Sequence, residues 1–332
     1  MFAAASYRAF DPEEYTSLIR GARVEVVVAE RETFDATITR LDLDGLWVQR
    51  GSERLARTFR AVLSAGRVML WFLGVQQPHV TMQSSDIAHD DLALLAPGEA
   101  ACWRSYAPSE WASMSLPINT FQEYGTTLIG RDVMPREFLQ VLRPASDALT
   151  RLHRLHRATV DLAETAPDAV CHPEAVRGLR QHLIQAAFAA IGGGHNHVSV
   201  RGYHIQRIMA RFEALIEANP DRAMYLTEVC QAVGVTERTF RTCCQDYLGM
   251  SPIRYLTLRR LHQVRRELRK ADPHATTVTE IATRHGFWEL GRFSMSYREL
   301  FAELPSATLH RVPEECMLLP NRSCPPEISD FA

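Results

Sequence analysis

Lysine is almost absent: Lys270 is the one lysine in 332 residues, and every other one of the 37 strong bases is arginine. A phosphate-cradling loop of the G-x-x-x-x-G-K-[ST] type needs a lysine directly after a glycine. Lys270 follows Arg269, so that nucleotide chemistry is excluded. Long apolar runs are lacking too. The nearest, Val68 to Val75 (VMLWFLGV), ends at Gln76-Gln77-Pro78, well short of the ~18 residues a membrane span requires. The N-terminus has no basic stretch followed by an apolar one, so no secretory signal is read and a cytoplasmic location is expected. Serine, histidine and aspartate never fall in a nucleophile-elbow spacing, which leaves hydrolysis without support. The seven cysteines, at 102, 171, 230, 243, 244, 316 and 324, match no zinc pattern and read as free thiols.

What is present is an ordinary globular composition, 46% hydrophobic and 23% charged, with length for two or three domains. The net charge of −2 hides an uneven distribution. Residues 201–311 carry 17 Arg and Lys against 12 Asp and Glu, a net of +5, while residues 1–200 are net acidic. A basic third on an acidic remainder suggests a nucleic-acid module joined to something else.

Residues 20–120 alternate in the manner of strands. Phe34, Ala36 and Ile38 share one face. Leu41-Asp42-Leu43, Asp44-Gly45 and Leu46-Trp47-Val48 read as a hairpin whose tight turn uses the glycine. Val24–Val28, Val62–Leu63 and Val68–Leu73 are further strand candidates, and Pro97-Gly98 marks another turn. Many short strands suggest a β-sandwich or barrel. From about Arg136 the spacing becomes three and four, through Leu149, Leu152 and Leu162 and then Val176, Leu179 and Leu183. Two amphipathic helices follow from that, serving as domain wall, dimer interface or both.

Between Leu226 and Leu248, Leu226, Val229, Cys230 and Val233 form the apolar stripe of a short helix that Gly234 ends. Thr236 suits the next N-cap, and Phe240, Cys243, Cys244 and Tyr247 face the core. Arg238, Arg241, Thr242 and Gln245 then face outward, in the form of a helix-turn-helix. The pattern recurs. Thr277-Val278-Thr279-Glu280 is a capping box, His285-Gly286-Phe287 a turn, and Phe293, Tyr297, Leu300 and Phe301 the buried stripe of a last helix. That helix exposes Leu290, Gly291, Arg292, Met295 and Ser296. Between the units, Ser251-Pro252 opens a helix running to Lys270 with Ile253, Leu256, Leu261, Val264 and Leu268 as its buried stripe. About 18 residues at ~1.5 Å each span ~27 Å. That is close to the ~34 Å between successive major grooves on one duplex face.

Residues 203–310 closely resemble the AraC/XylS family of bacterial transcription regulators. The resemblance rests on Ile281-Ala282, Gly286-Phe287, Phe293, Tyr297, Phe301 and Pro305 in the second unit. In the first it rests on Gly249-Met250-Ser251-Pro252-Ile253-Arg254-Tyr255. Ala302 stands in place of the usual Gly, Leu304 in place of Ser, and Glu289 where a Ser often opens the second recognition helix. Residues 20–190 are more diffusely similar to the N-terminal sensor domain of one AraC subgroup. The resemblance implies an α+β chain with a cupin-like β-barrel or sandwich sensor, trailing helices and an all-α double helix-turn-helix. The expected divisions are 1–135 (effector-binding), 136–191 (helical dimerisation or linker region), 192–202 (Gly-rich linker), 203–311 (DNA-binding) and 312–332 (tail).

The function implied is a DNA-binding regulator, more often an activator, of bacterial promoters. Its expected partners are double-stranded promoter DNA, RNA polymerase, a second copy of the chain and a small-molecule effector, with no cofactor and no membrane. By position in the motif Arg238, Thr239, Arg241, Thr242 and Gln245, and Leu290, Gly291, Arg292, Met295 and Ser296, are the candidate DNA contacts. Arginine reads guanine O6 and N7, and threonine meets a thymine methyl. Arg259, Arg260, Arg265, Arg266 and Arg269 are candidates for phosphate contact, with ion pairing or solvation the commoner fate. Trp47, Trp71, Trp103, Arg104 and Tyr106 are candidates to line an effector pocket, against the plainer reading that aromatics fill the core. The histidines at 153, 156, 172 and 182, the cluster Asp86, His89, Asp90, Asp91 with His79, and His195-Asn196-His197 read as ordinary polar residues rather than metal sites. The other function weighed is a cupin-like metal enzyme with a DNA-binding appendage. A third is a regulator without effector, whose β-domain is a filled dimerisation platform.

Overall fold

The computed structural model describes residues 4–28, 34–54, 57–74, 80–83, 85–98, 100–135, 139–196, 200–219, 222–311 and 317–318. The expected tail lies almost wholly outside the described residues, as do His79, His197, Cys316 and Cys324.

The N-terminal half is a sandwich of two antiparallel sheets. The first sheet contains β1 (Ala4–Ala9), β3 (Ala36–Leu43), β4 (Leu46–Glu53), β6 (Arg67–Leu73), β9 (Leu92–Leu95) and β11 (Ser109–Pro117). Three more complete it: β12 (Leu139–Arg143), β13 (His195–Asn196) and β14 (Met317–Leu318). Its order is β13-β12-β9-β6-β11-β4-β3-β1-β14. The second sheet, in the order β2-β5-β10-β7-β8, is built from β2 (Ala22–Val28), β5 (Arg57–Leu63), β7 (Val80–Met82), β8 (Ser85–Ile87) and β10 (Ala100–Ser105). A short helix, α1 (Pro12–Leu18), links β1 to β2, and α2 (Ile118–Tyr124) follows β11.

The expected hairpin is present: Leu43 pairs with Leu46, and Asp44 and Gly45 both take positive φ, at 52° and 82°. Those are the angles of a primed turn, whose twist matches the flanking strands. Pro97-Gly98 is also a turn, but it carries the chain from the first sheet to the second.

The apolar run at 68–73 is explained by its place. In β6, Met69, Trp71 and Leu73 enter the core between the sheets, while Val68, Leu70 and Phe72 enter a second core on the other face. A strand buried on both sides loses the polar alternation. The second core is closed by α3 (Ser146–Thr165) and α4 (Pro173–Gly193), with Leu149, Leu152 and Val160 from the former and Leu183, Ile184 and Phe188 from the latter. These helices are the wall of the domain. The 136–191 region is therefore not purely helical, because β12 belongs to the first sheet. Nor is 192–202 a free linker: Gly192 and Gly193 finish α4, and His195–Asn196 pair with Arg143 and Leu142.

His153 and His156 lie against the Phe72 ring at 4.9 and 5.2 Å. Burial pushes both imidazoles down to about 4, so both are neutral at pH 7; His156 is buried in the second core and His153 is half-buried at its edge. Between the sheets lies a polar group without solvent. Glu53 and Arg57 form a fully buried ion pair, and Trp111 Nε1 donates to Glu53 Oε1 (3.0 Å) and to Tyr15 Oη (3.1 Å). Gly51 is required beneath it, because any Cβ there would overlap the Trp111 indole.

The C-terminal half is helical: α5 (Val200–Ala218), α6 (Leu226–Val233), α7 (Glu237–Leu248), α8 (Pro252–Lys270), α9 (Val278–Arg284), α10 (Leu290–Phe301) and α11 (Pro305–Leu309). It packs on the outer face of the second sheet, giving four layers: helices, sheet, sheet, helices. Strand alternation supplies that contact. Phe59, Ala61 and Trp103 point into the sandwich, whereas Thr58, Arg60 and Cys102 point at the helices. Arg60 binds the Glu213 carboxylate, the Glu213 carbonyl (3.1 Å) and Glu217 (3.1 Å).

Candidate nucleic-acid interface

The helix boundaries follow from local chemistry. Thr236 Oγ1 accepts from the Thr239 amide at 3.3 Å to open α7. Ser251 caps α8 with Pro252 in its first turn. The box at α9 is reciprocal: the Thr277 amide donates to Glu280 (2.8 Å), and the Glu280 amide donates to Thr277 (3.2 Å). Gly234 takes φ 75° at the end of α6, a left-handed conformation that costs a Cβ residue about 1 kcal/mol or more. Phe240, Cys243, Cys244 and Tyr247 are buried, as their spacing demands, and so are Phe293 and Tyr297. α6 with α7 and α9 with α10 are two helix-turn-helix units, joined by α8.

The outward faces are mostly as expected. Arg238, Arg241, Thr242 and Gln245 are exposed on α7, and Leu290, Gly291, Arg292 and Met295 on α10. Two residues differ. Thr239 is half-buried, with its hydroxyl 2.9 Å from that of Thr236 in the helix cap. Ser296 is half-buried beside Leu258 and Leu261 in a groove against α8. Thr242 donates to the Arg238 carbonyl (3.2 Å), and Gln245 to the Gly249 carbonyl (3.3 Å). Arg241 pairs with Glu237 (Nε to Oε1, 2.9 Å) and Arg292 with Glu289 (2.9 Å). Glu289 makes no capping hydrogen bond. Trp288, 75% exposed in the turn before α10, escaped the sequence reading. Its signal was available: an indole at a turn position with no place in the buried stripe.

The five arginines of α8 considered for phosphate are committed elsewhere. Arg265 Nη1 lies 2.6 Å from Asp11, and Arg269 reaches Asp11 (2.5 Å) and Glu14 (2.7 Å). Arg266 faces Glu13 at 3.6 Å, and both Arg266 and Arg259 lie 4.0 Å from Glu25. Arg260 lies over the Phe287 ring at 5.1 Å. Part of the basic excess of this half thus meets the acidic N-terminal half, leaving these side chains engaged instead of free for phosphate. Ile253, placed by spacing in the buried stripe, is instead half exposed.

The aromatic candidates for an effector pocket separate. Trp71 and Trp103 join Trp111, Phe59 and Met69 around a small cavity of about 20 Å³ between the sheets. That is room for about one water. Trp47 lies elsewhere, donating to Asp42 (3.0 Å) under the Arg67 guanidinium. Arg104 and Tyr106 contact each other at the surface, and Arg104 abuts Gly249 of the helical half. No group of three or more His, Cys, Asp or Glu among the described residues is placed to hold a metal ion. Asp91 is a loop anchor, accepting from the Ala88 amide (3.0 Å) and from Arg143 (3.0 Å). No helix among the described residues is long and apolar enough to cross a membrane.

Comparison with known proteins agrees with this geometry. A family profile described as "Helix-turn-helix domain" matches residues 229–311. The chain is 33% identical over 107 residues to "XylDLEGF operon transcriptional activator 2" of Pseudomonas putida, covering 32% of this chain and 68% of that protein. It is 38% identical over 98 residues to "Probable thc operon regulatory protein" of Rhodococcus erythropolis, where the match spans 30% of each. Among solved structures, the AraC-like transcriptional activator CuxR aligns with 80% of this chain and 96% of its own, at 11% identity and a TM-score of 0.43. Fatty acid-bound ToxT from Vibrio cholerae aligns with 95% of this chain and 98% of its own, at 11% identity and a TM-score of 0.27. The motifs, the paired helix-turn-helix units and the matched relatives agree: the chain belongs to the AraC/XylS family of transcription regulators.

Proposed function

We propose that this protein is a sequence-specific DNA-binding regulator of bacterial promoters, acting as an activator in the cytoplasm and not as an enzyme. One observation carries the reading: two solvent-facing recognition helices, α7 and α10, are held by a single 19-residue helix, α8. At ~1.5 Å per residue α8 is about 28 Å long, which suits α7 and α10 to successive major grooves on one face of a duplex. The name of the Pseudomonas putida relative supports activation. The contacts we assign to bases are Arg238, Arg241, Thr242 and Gln245 in the first unit, and Leu290, Gly291, Arg292 and Met295 in the second. Thr239 and Ser296 support these helices from half-buried positions. RNA polymerase and a second copy of the chain are the partners this function calls for.

The N-terminal sandwich bears on the DNA-binding half through the Arg60–Glu213 pair and the Asp11–Arg265–Arg269 cluster. A small molecule preferring one arrangement of that contact would shift how α7 and α10 are presented. Trp71 and Trp103 mark the interior such a molecule would have to open. The smallness of the 20 Å³ cavity favours a second reading, in which the space between the sheets is filled by side chains and DNA binding is indifferent to metabolites.

The test is binding to the protein's own upstream DNA and to a length-matched random duplex at two salt concentrations. Tight upstream binding that survives the higher salt is expected. Equal binding to both that collapses with salt would overturn the assignment. Arg238→Ala should cost about 1–3 kcal/mol on the upstream site and relax preference at one base pair. An equal loss on random DNA would remove Arg238 from the base-reading set.

A further inference from the structure

An outward arginine on a recognition helix has two uses. It reads a guanine edge, or it binds phosphate, which is the same on every sequence and adds only non-specific affinity. In both units of this protein a glutamate at the helix start holds such an arginine. Glu237, the first residue of α7, takes both Nε (2.9 Å) and Nη2 (2.5 Å) of Arg241 four residues on. Glu289, at the N-cap of α10, takes Nη1 of Arg292 three residues on, at 2.9 Å. The two differ in spacing and in grip: Arg241 is held through two nitrogens, Arg292 through one. Arg238, by contrast, makes no ion pair among the described residues.

We propose that Glu237 and Glu289 are specificity-determining residues, which hold Arg241 and Arg292 away from phosphate. The inference rests on α7 and α10 being the DNA-recognition helices. Exposed ion pairs contribute little to fold stability, so stability does not account for the placement. Glu289, moreover, does not use its side chain as a cap. On approach to a duplex, an arginine held by its glutamate is withheld from phosphate whatever the sequence. The guanidinium regains a partner where guanine presents O6 and N7. Discrimination is thus sharpened by withholding a phosphate contact that would favour every sequence alike.

The test starts from duplexes selected by the wild-type full-length chain from a randomised library, and uses a selected duplex and its scrambled counterpart as probes. Binding is measured across a salt series for wild type, E237Q, E289Q, R241A and E237Q/R241A, with thermal melting to show that each is folded. Each glutamine variant should tighten scrambled-duplex binding about fivefold and steepen its salt slope by about 0.9, the signature of one new phosphate contact. The ratio of selected to scrambled affinity should fall accordingly. In the R241A background E237Q should have no such effect, because the glutamate acts through that arginine. An unchanged ratio, an equal shift on both probes, or an E237Q effect that persists in R241A would overturn the proposal while leaving the DNA-binding function intact. If the wild type selects no sequence, the functional reading fails and the proposal fails with it.

Discussion

Asp11 is the residue through which the sheet domain grips the connecting helix α8, and two substitutions separate its two duties. Its Oδ1 accepts from the amides of Glu13 (2.9 Å) and Glu14 (3.4 Å), capping α1. The same carboxylate faces Arg265 at 2.6 Å and Arg269 at 2.5 Å, and the residue is only 3% exposed. Asp11→Asn keeps the capping oxygen and removes the charge; Asp11→Ala removes both. A lost cap costs about 1 kcal/mol. Breaking a buried ion pair costs about 3–5 kcal/mol when the other partner is stranded. Here the loss is softened, because Arg265 keeps Glu303 at 3.3 Å and Arg269 keeps Glu14 at 2.7 Å. The expected cost is therefore about 3 kcal/mol for Asn and about 4 for Ala. Urea unfolding followed by tryptophan fluorescence reads both, and limited proteolysis reads whether the helical half has come loose. An Asn variant within about 0.5 kcal/mol of wild type would refute the reasoning, since the ion pairs would then be no better than surface ones. Burial raises the Asp11 carboxyl, but the two arginines and the Glu13 amide outweigh it and hold it below its usual range. Its contribution is thus present above pH ~4 and lost as pH falls through that lower folded value.

His156 gives a second pH-dependent prediction in a different window. Burial lowers it to about 4, against about 6.5 in the unfolded chain, so the unfolded state binds the extra proton between those values. His153 is lowered in the same way, so each imidazole should take up to about 1.4 kcal/mol per pH unit from stability on going from pH ~6 towards 4, and His156→Leu should remove about half of the combined slope. An unaltered slope in urea titrations at several pH values would show that His156 is not the titrating group. Ala302 occupies the left-handed C-cap of α10 with φ 58°, where the family usually has glycine. Ala302→Gly should therefore raise stability by about 0.5–1 kcal/mol, read as a higher melting temperature, and a lower one would mean the site is not strained.

The helix-turn-helix half was legible in the sequence because its signals are local. Caps at Thr236, Ser251 and Thr277, the glycine at 234, and apolar residues three and four apart each act within one or two turns of chain. The hairpin at Asp44-Gly45 was legible for the same reason. What needed the tertiary structure was every contact between segments far apart. Periodicity turns Leu149 and Leu152 inward, but it does not show that His156 joins them against Phe72. Composition shows a basic third and an acidic remainder, but only packing brings Arg265 and Arg269 to Asp11. A cluster of tryptophans signals a core, and only the way the sheets meet decides that the space between Trp71 and Trp103 is small. Secondary structure and its caps are written over neighbouring residues. Cavities, ion-pair partners and domain contacts depend on distances that sequence separation does not encode.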